Sequence, residues 1–110
     1  MTNRELKQQY RVFNRKYFGN SLPDIFVGYA DVSSGHAAEF ISYEDGTYRI
    51  HIHPLIKRLK LDNYSLLLLV HEMAHCKLRN APARVRCGHG KIFQDEMKRL
   101  ANLGALKDLW

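Results

Sequence analysis

Residues 71–75 read His-Glu-Met-Ala-His and carry the clearest chemical potential of this chain. Residues four apart project from the same face of a helix, so the imidazoles of His71 and His75 can bind one metal ion. Glu72 lies beside the first imidazole, where its carboxylate can accept a proton from a water molecule at that ion. The spacing predicts a hydrolytic metal site with Zn²⁺ as the cofactor and Glu72 as the catalytic base.

A catalytic zinc site needs a third protein ligand, because such sites use three side chains and leave the fourth position for water. His89 is the leading candidate. It lies between two glycines, whose flexible backbone lets a loop turn sharply toward the preceding helix. Asp95 and Glu96 are alternative ligands, and the thiolate of Cys87, close to His89 in the sequence, is a further alternative.

The spacing of apolar residues predicts the elements that position these side chains. We expect helices over residues 3–18, 62–78 and 91–103, and strands over residues 25–30, 37–43 and 48–53. An Asp45-Gly46 turn signal predicts that the second and third strands form an antiparallel hairpin. The order of elements indicates an α+β fold, in which a small three-stranded sheet packs against the N-terminal, active-site and C-terminal helices.

Two local details follow from the same patterns. Asp62 or Asn63 is expected to cap the helix that carries the metal motif. The last helix is expected to direct four side chains toward the core, namely Ile92, Phe93, Met97 and Leu100.

The composition is typical of one small soluble domain spanning residues 1–110, since 45% hydrophobic residues are enough for a single core. The sequence shows neither an apolar leader nor a run approaching the ~20 apolar residues of a membrane span. We therefore expect no membrane partner and a cytoplasmic location. Cys76 and Cys87 form no CxxC pair, and we expect both to be reduced, buried thiols.

The net charge of +6 is unevenly distributed along the chain. Residues 4–16, 57–60 and 77–99 are strongly basic, whereas residues 24–45 are mostly acidic. Basic surfaces attract polyanions because counterions are released from the phosphates. The basic patches predict DNA as a partner, with solvated charge that only aids solubility as the alternative.

Several segments, in their order and spacing, resemble the SprT-like metallopeptidase family across nearly the whole chain. They are Phe13-Asn14 and Tyr17-Phe18-Gly19, the strand at 48–53 with Pro54-Leu55, the run from Leu68 to His75, and Gly88-His89-Gly90 with Phe93. The resemblance implies a compact, zincin-like protease core in which His71, His75 and His89 bind zinc and Glu72 is the general base.

These features together predict a zinc endopeptidase that cleaves peptide bonds of intracellular proteins, including proteins held on DNA. One alternative is a zinc-stabilised DNA-binding or adaptor module without proteolytic activity, and another is a zinc amidase acting on a small substrate. The presence of Glu72 argues against the adaptor, because a purely structural zinc site has no need of a base.

Peptide hydrolysis also requires a hydrogen-bond donor for the oxyanion, and His53, Tyr43 and Arg84 are the candidates. The strand that ends at His53 is expected to present its edge to an extended peptide substrate. His51 lies on the same side of that strand, and both His51 and His36 are expected to be structural or solvated.

Overall fold

The structure is a computed structural model that describes residues 1–107, and it shows an α+β fold of five helices and one mixed sheet. In chain order the elements are α1 Asn3–Tyr17, β1 Phe26–Tyr29, β2 Ala38–Ser42, β3 Tyr48–Ile52, α2 Pro54–Arg58, α3 Asp62–Lys77, α4 Ala83–Arg86 and α5 Lys91–Asn102. The α+β class, the three strands and the three long helices are confirmed. Their ends differ from the predicted ones by a single residue at most.

The sheet has the strand order β1-β3-β2, so β3 lies in its centre. β2 and β3 pair antiparallel, with Phe40 opposite Ile50, as the hairpin prediction required. β1 pairs with β3 in parallel, with Val27 beside Ile50. The expectation that the strand ending at His53 offers a free edge is therefore wrong, because β3 is paired on both sides. The edge strand of the hairpin is β2.

The core lies between one face of the sheet and the long helices. Ile50 and Ile52 of β3 are fully buried, as are Leu69 and Met73 of α3. α3 packs against β2 and β3, and it also contacts α1, α2 and α5. Because α3 is enclosed by the other elements, the side chains of its C-terminal half are held in place next to β2.

Two short helices were not predicted. In α2, Pro54 occupies the start of the helix, and Nδ1 of His53 accepts a hydrogen bond of 3.0 Å from the Leu55 backbone N–H. α4 follows Pro82 within the basic loop whose shape the sequence left open. Elements of four or five residues carry too few apolar positions to show a helical period, although a proline before or at the first position is a usual start signal.

Two local predictions are wrong. The residue that caps α3 is Leu61, and no side chain caps this helix; Asp62 instead lies in its first turn and accepts a hydrogen bond of 3.0 Å from the N-terminal amine. Ile92 of α5 is 53% exposed, whereas Phe93 and Leu100 are buried as expected. Within residues 1–107, no helix combines the length and apolar character that crossing a bilayer would require.

Candidate metal centre

Three histidine side chains converge at the C-terminal half of α3. Nε2 of His89 lies 3.2 Å from Nε2 of His71 and 3.2 Å from Nε2 of His75. One nitrogen from each ring lies within 4.8 Å of the other two, so the three residues could hold one metal ion. α3 supplies two of the rings, and the loop between α4 and α5 supplies the third. These are the three residues that the sequence predicted as ligands.

The protonation of these rings shows why a cation fits between them. Nδ1 of His75 lies 2.9 Å from the Arg86 carbonyl oxygen, so a neutral His75 carries its proton there and presents a bare Nε2. Nε2 of His89 can donate a proton to only one of its two neighbours. At least one of the two 3.2 Å contacts is therefore not a hydrogen bond, whereas a cation between the rings would be favourable for all three nitrogens.

The surroundings favour the neutral form of the two rings on α3, which is the form that binds metal. Burial, together with the charged forms of His75 and His89, lowers the pKa of His71 to about 4. Burial also lowers the pKa of His75, against a smaller opposing effect of the hydrogen bond to Arg86. At neutral pH both rings on α3 are thus able to act as ligands without first losing a proton.

The ring of Phe93 contacts all three imidazoles. Its ring stacks on His75 with the centroids 4.4 Å apart, and it meets the rings of His71 and His89 edge-on at 4.9 Å each. Phe93 is buried and belongs to the first turn of α5, directly after the loop that carries His89. The sequence prediction placed this residue in the core and missed its role beneath the metal centre.

Gly88 allows the loop to bring His89 into position. A Cβ atom at Gly88 would lie 2.5 Å from the carbonyl oxygen of Arg84, which is closer than real Cβ atoms approach. A Cβ atom at Gly90 would meet nothing, and Gly90 is the residue before α5. The structure therefore explains why position 88 requires glycine, because Gly88 packs closely against α4. It gives no such reason at Gly90.

Glu72 points into the same site and is 6% exposed. Its Oε2 lies 4.0 Å from Nε2 of His71, and the backbone N–H of Phe40 donates a hydrogen bond to the carboxylate. Burial raises the pKa of Glu72 to about 7; the hydrogen bond from Phe40 opposes this increase, and the nearby Glu39 adds to it. A carboxylate with this pKa can both accept and release a proton near neutral pH.

A cavity of about 440 Å³ opens beside the three histidines and Glu72. All five residues of β2 line it. The volume lies in the range of roughly 300–1,000 Å³ that ligand pockets usually have. A polypeptide segment placed in this cavity would lie against β2 and next to Glu72.

The free edge of β2 faces this cavity. The His53 N–H donates to the Ala37 carbonyl and the Tyr43 N–H donates to the Thr47 carbonyl, so the odd-numbered residues of this segment pair with β3. Because hydrogen-bonding direction alternates along a strand, the backbone groups of Ala38, Phe40 and Ser42 point away from β3. The hydrogen bond from Phe40 to Glu72 confirms this direction.

The alternative carboxylate ligands are engaged elsewhere. Asp95 accepts a hydrogen bond of 2.8 Å from Lys91 on the exposed side of α5. Glu96 is buried and accepts hydrogen bonds from Lys77 at 2.8 Å and from Arg99 at 2.5 and 3.0 Å. Neither belongs to the group of histidines, so these two residues are not brought to the metal centre.

The cysteines are both free, and only Cys76 is buried. Cys87 is exposed, which contradicts the expectation of two buried thiols. It lines the cavity but does not belong to the group of close ligand atoms, which within residues 1–107 consists of histidines alone.

The predicted oxyanion donors lie outside the cavity. Tyr43, His53 and Arg84 are absent from its lining, and His53 is used to cap α2. The sequence reasoning missed Arg86, which does line the cavity and whose carbonyl group also orients His75. Its position two residues beyond Arg84 in a four-residue helix could not be inferred without knowing that α4 exists.

Comparison of the chain with protein-family models, with curated proteins and with solved structures finds no match. The likeness to SprT-like metallopeptidases therefore stays a prediction from the sequence motifs.

Replacing Phe93 with leucine tests the support beneath the imidazoles. We expect Phe93→Leu to weaken Zn²⁺ affinity by roughly 10- to 100-fold, because groups that orient metal ligands have effects of this size. Isothermal titration with Zn²⁺ measures the change. Ile92→Leu, at the exposed neighbouring position, is the control and should leave the affinity unchanged. Equal affinities of Phe93→Leu and the unmodified protein would show that the ring does not position the ligands.

The raised pKa of Glu72 predicts how metal-free stability depends on pH. Folding favours the protonated carboxyl, so the free energy of unfolding decreases as pH rises from about 4.5 to about 7. Glu72→Gln avoids this loss and should be more stable above pH 7 by roughly 3 kcal/mol, the equivalent of the pKa difference. Denaturation in a chelator between pH 4 and 8 measures the difference, which should vanish below pH 4.5. Asp95→Asn, at an exposed carboxyl whose pKa is lowered by Lys91, should show no such gain.

Proposed function

We infer that the protein is a zinc-dependent endopeptidase. The observation that carries this proposal is the convergence of three imidazoles, in which Nε2 of His89 lies 3.2 Å from Nε2 of both His71 and His75, beside the buried carboxylate of Glu72, which is 4.0 Å from His71. Two nitrogen ligands of a tetrahedral zinc ion, each at 2.0–2.1 Å, lie about 3.3 Å from one another. The His89 contacts match that separation, and an all-imidazole ligand set suits zinc.

His71, His75 and His89 would hold the metal, and Glu72 would move the proton. When bound in such a site, zinc lowers the pKa of water toward ~7 and polarises a substrate carbonyl. Glu72 accepts a proton from the attacking water and passes it to the nitrogen atom of the leaving amine. Its burial and its hydrogen bond from Phe40 keep the carboxylate in one position and exclude bulk water from this transfer.

The free edge of β2 supports a peptide as the substrate. Ala38, Phe40 and Ser42 direct backbone groups into the cavity, and an extended peptide can pair as an additional strand with those that remain free, because Glu72 already accepts from the Phe40 N–H. Recognition of this kind uses main-chain hydrogen bonds, so it favours unfolded or flexible segments of protein substrates. It also replaces the earlier expectation that β3 would bind the peptide.

Membership of the SprT-like family and action on DNA-associated proteins in the cytoplasm belong to the same proposal. Within residues 1–107, Arg84 and Arg86 of α4 have no ion-pair partner, and α4 lies next to the loop that carries His89. Unpaired cations beside the site would favour substrates held near phosphates. This arrangement supports DNA proximity and keeps the adaptor module as the alternative function.

The pKa of Glu72 favours the enzyme over the adaptor. Holding a carboxylate in a site that raises its pKa to about 7 destabilises the fold at neutral pH. A zinc site that only stabilised the fold would gain nothing from such a residue, whereas a hydrolytic site requires it.

Glu72→Gln separates the two functions. Zinc content, proteolysis of an unfolded protein substrate, and binding of single- and double-stranded DNA are measured for this variant and the unmodified protein. We expect both to hold zinc and bind DNA equally, and the variant to lose roughly 10²- to 10⁴-fold in proteolytic rate, the usual contribution of a general base. Zinc-loaded unmodified protein that cleaves nothing with or without DNA would remove the endopeptidase proposal.

Ser42→Pro tests the strand edge that receives the peptide. The Ser42 N–H points away from β3, so proline removes a group that the substrate needs and spares the hairpin. We expect kcat/KM for an extended peptide to decrease by roughly 10-fold, which corresponds to the loss of about one hydrogen bond. Ser42→Ala retains the N–H and should keep full activity. If both variants cleave equally well at unchanged melting temperature, the peptide does not pair at this position.

A further inference from the structure

The corner between α2 and α3 leaves large apolar side chains uncovered. Every residue from 57 to 64 is exposed. Four of the nine exposed large apolar residues in the described part of the chain lie within residues 55–64. They are Leu55, Leu59, Leu61 and Tyr64, which are 40%, 57%, 42% and 41% exposed. Exposed apolar surface is therefore concentrated at this corner, as it is at many contact surfaces between proteins.

The helical spacing places these side chains close together. Leu55 of α2 and Leu59 at its C-terminal cap are four residues apart, and Leu61 and Tyr64 at the start of α3 are three apart. Each pair therefore shares one helix face. Lys60 alone separates the two pairs in the sequence.

Three cations are interleaved with these apolar side chains, namely Lys57, Arg58 and Lys60. Within residues 1–107 none of them forms an ion pair, and the ammonium group of Lys57 lies 5.9 Å from the ring centroid of Tyr29. Asp62, the one acidic residue among residues 55–64, is already paired with the N-terminal amine at 3.0 Å. The four apolar side chains and the three cations form the corner surface, which is both apolar and positively charged.

The backbone of Lys60 is held in the left-handed region, with φ at 55°. Its N–H donates to the Lys57 carbonyl at 3.0 Å, and the Leu61 N–H donates to the Ile56 carbonyl at 3.2 Å. These two hydrogen bonds form a Schellman ending of α2, in which glycine is the usual residue at the position of Lys60 because a side chain is crowded there. A lysine kept in a conformation that disfavours it points to a use for its charge.

The corner surface lies apart from the metal centre. None of its residues lines the cavity beside the three histidines. α3 begins at Asp62, nine residues before His71, which corresponds to about 14 Å along the helix axis. A molecule bound at the corner surface would therefore leave the metal centre open.

The composition of the corner surface distinguishes between possible partners. Even Leu59, the most exposed of its apolar side chains, is only 57% exposed, so the corner has no freely projecting side chain to enter the hydrocarbon of a bilayer. A nucleic acid would use the cations but would gain nothing from leucine side chains beside its phosphates. A second copy of the chain would bring like charges together. A protein segment that is both acidic and apolar complements the two features at once.

We propose that the corner surface binds a segment of another protein in which large apolar side chains alternate with aspartate or glutamate. The apolar side chains of this segment pack on Leu55, Leu59 and Tyr64, and its carboxylates pair with Arg58 and Lys60. The bound protein stays attached while the metal centre remains accessible. This inference goes beyond the proposed peptidase function and does not depend on it.

Peptide selection identifies the chemistry that the corner surface prefers. A phage-displayed library of short random peptides is selected on immobilised Glu72→Gln protein, which is expected not to cleave them. Peptides that also bind Glu72→Gln protein carrying both Leu59→Ser and Lys60→Gly are removed. We expect the remaining sequences to combine aspartate or glutamate with large apolar residues. Remaining sequences that lack acidic residues, or no sequence that distinguishes the two proteins, overturn the proposal.

Single substitutions separate the apolar contribution from the charged one. With a synthetic copy of the most enriched peptide, fluorescence anisotropy should show binding about 10-fold weaker for Leu59→Ser. The same measurement should show binding about 3-fold weaker for Lys60→Gly. Lys60→Gly should melt at the temperature of the unmodified protein or above it, because glycine relieves the left-handed backbone. Unchanged dissociation constants in both variants contradict the proposal.

Two matched controls lie outside the corner surface. Asn20→Gly makes the same backbone change at another positive φ, 61°, and Ile92→Ser removes an apolar side chain of similar exposure, 53%, from α5. Neither should change the affinity for the peptide. Tyr64→Ser replaces Leu59→Ser if that variant does not fold. A control that weakens binding as much as the corner variants shows that the peptide binds elsewhere, which overturns the proposal.

The other occupants are tested with the variant that carries both Leu59→Ser and Lys60→Gly. Its sedimentation with vesicles of phosphatidylcholine and phosphatidylserine, its affinity for duplex DNA and its self-association in sedimentation equilibrium are compared with those of the unmodified protein. We expect a loss of no more than about 3-fold in each, since one exposed charge contributes little. A larger loss in one of them assigns the corner surface to that occupant and overturns the proposal.

Discussion

The convergence of three imidazoles on one point is the constraint on which this site depends. Nε2 of His89, on the loop after α4, lies 3.2 Å from Nε2 of both rings on α3, and the two contacts cannot both be hydrogen bonds while His75 carries its single proton on Nδ1. The fold nevertheless holds this arrangement. Phe93 supports the three rings, the Arg86 carbonyl fixes the tautomer of His75, and Gly88 permits the tight approach of the loop to α4. These contacts fix the three rings in an arrangement that could hold one metal ion without a change of shape.

An ion-pair network around the buried Glu96 holds α5 against the end of α3. Glu96 of α5 accepts hydrogen bonds from Lys77, the last residue of α3, and from Arg99, which in turn donates to the Tyr17 carbonyl at the end of α1. Burial raises the pKa of Glu96, but the hydrogen bonds from Arg99 and Lys77 outweigh it and lower the pKa. Three helices are thus joined around one carboxylate that the sequence alone suggested as a ligand. Its actual role is to hold α5, and with it Phe93, against α3.

Local patterns in the sequence were sufficient for the parts of this structure that depend on short spacings. Any helix brings the rings of His71 and His75 to one face, and an Asp-Gly turn is by itself a signal for a hairpin. Both features could therefore be predicted from the sequence. The parallel pairing of β1 with β3 joins segments separated by more than twenty residues, and no local pattern encodes it. For this reason the free edge was assigned to the wrong strand. The raised pKa of Glu72 and the position of Phe93 beneath the rings likewise arise from long-range packing.

The open edge of β2 has a consequence for the behaviour of the protein in solution. A strand with unpaired backbone groups can accept any extended chain, including the same strand of another copy, and such self-association would cover Glu72. β2 spans only five residues and carries Glu39 at its second position. Short length and an acidic side chain are both features that discourage edge-to-edge contact between identical strands. The strand is therefore long enough to hold a few residues of a foreign polypeptide and too short to be a strong template for aggregation.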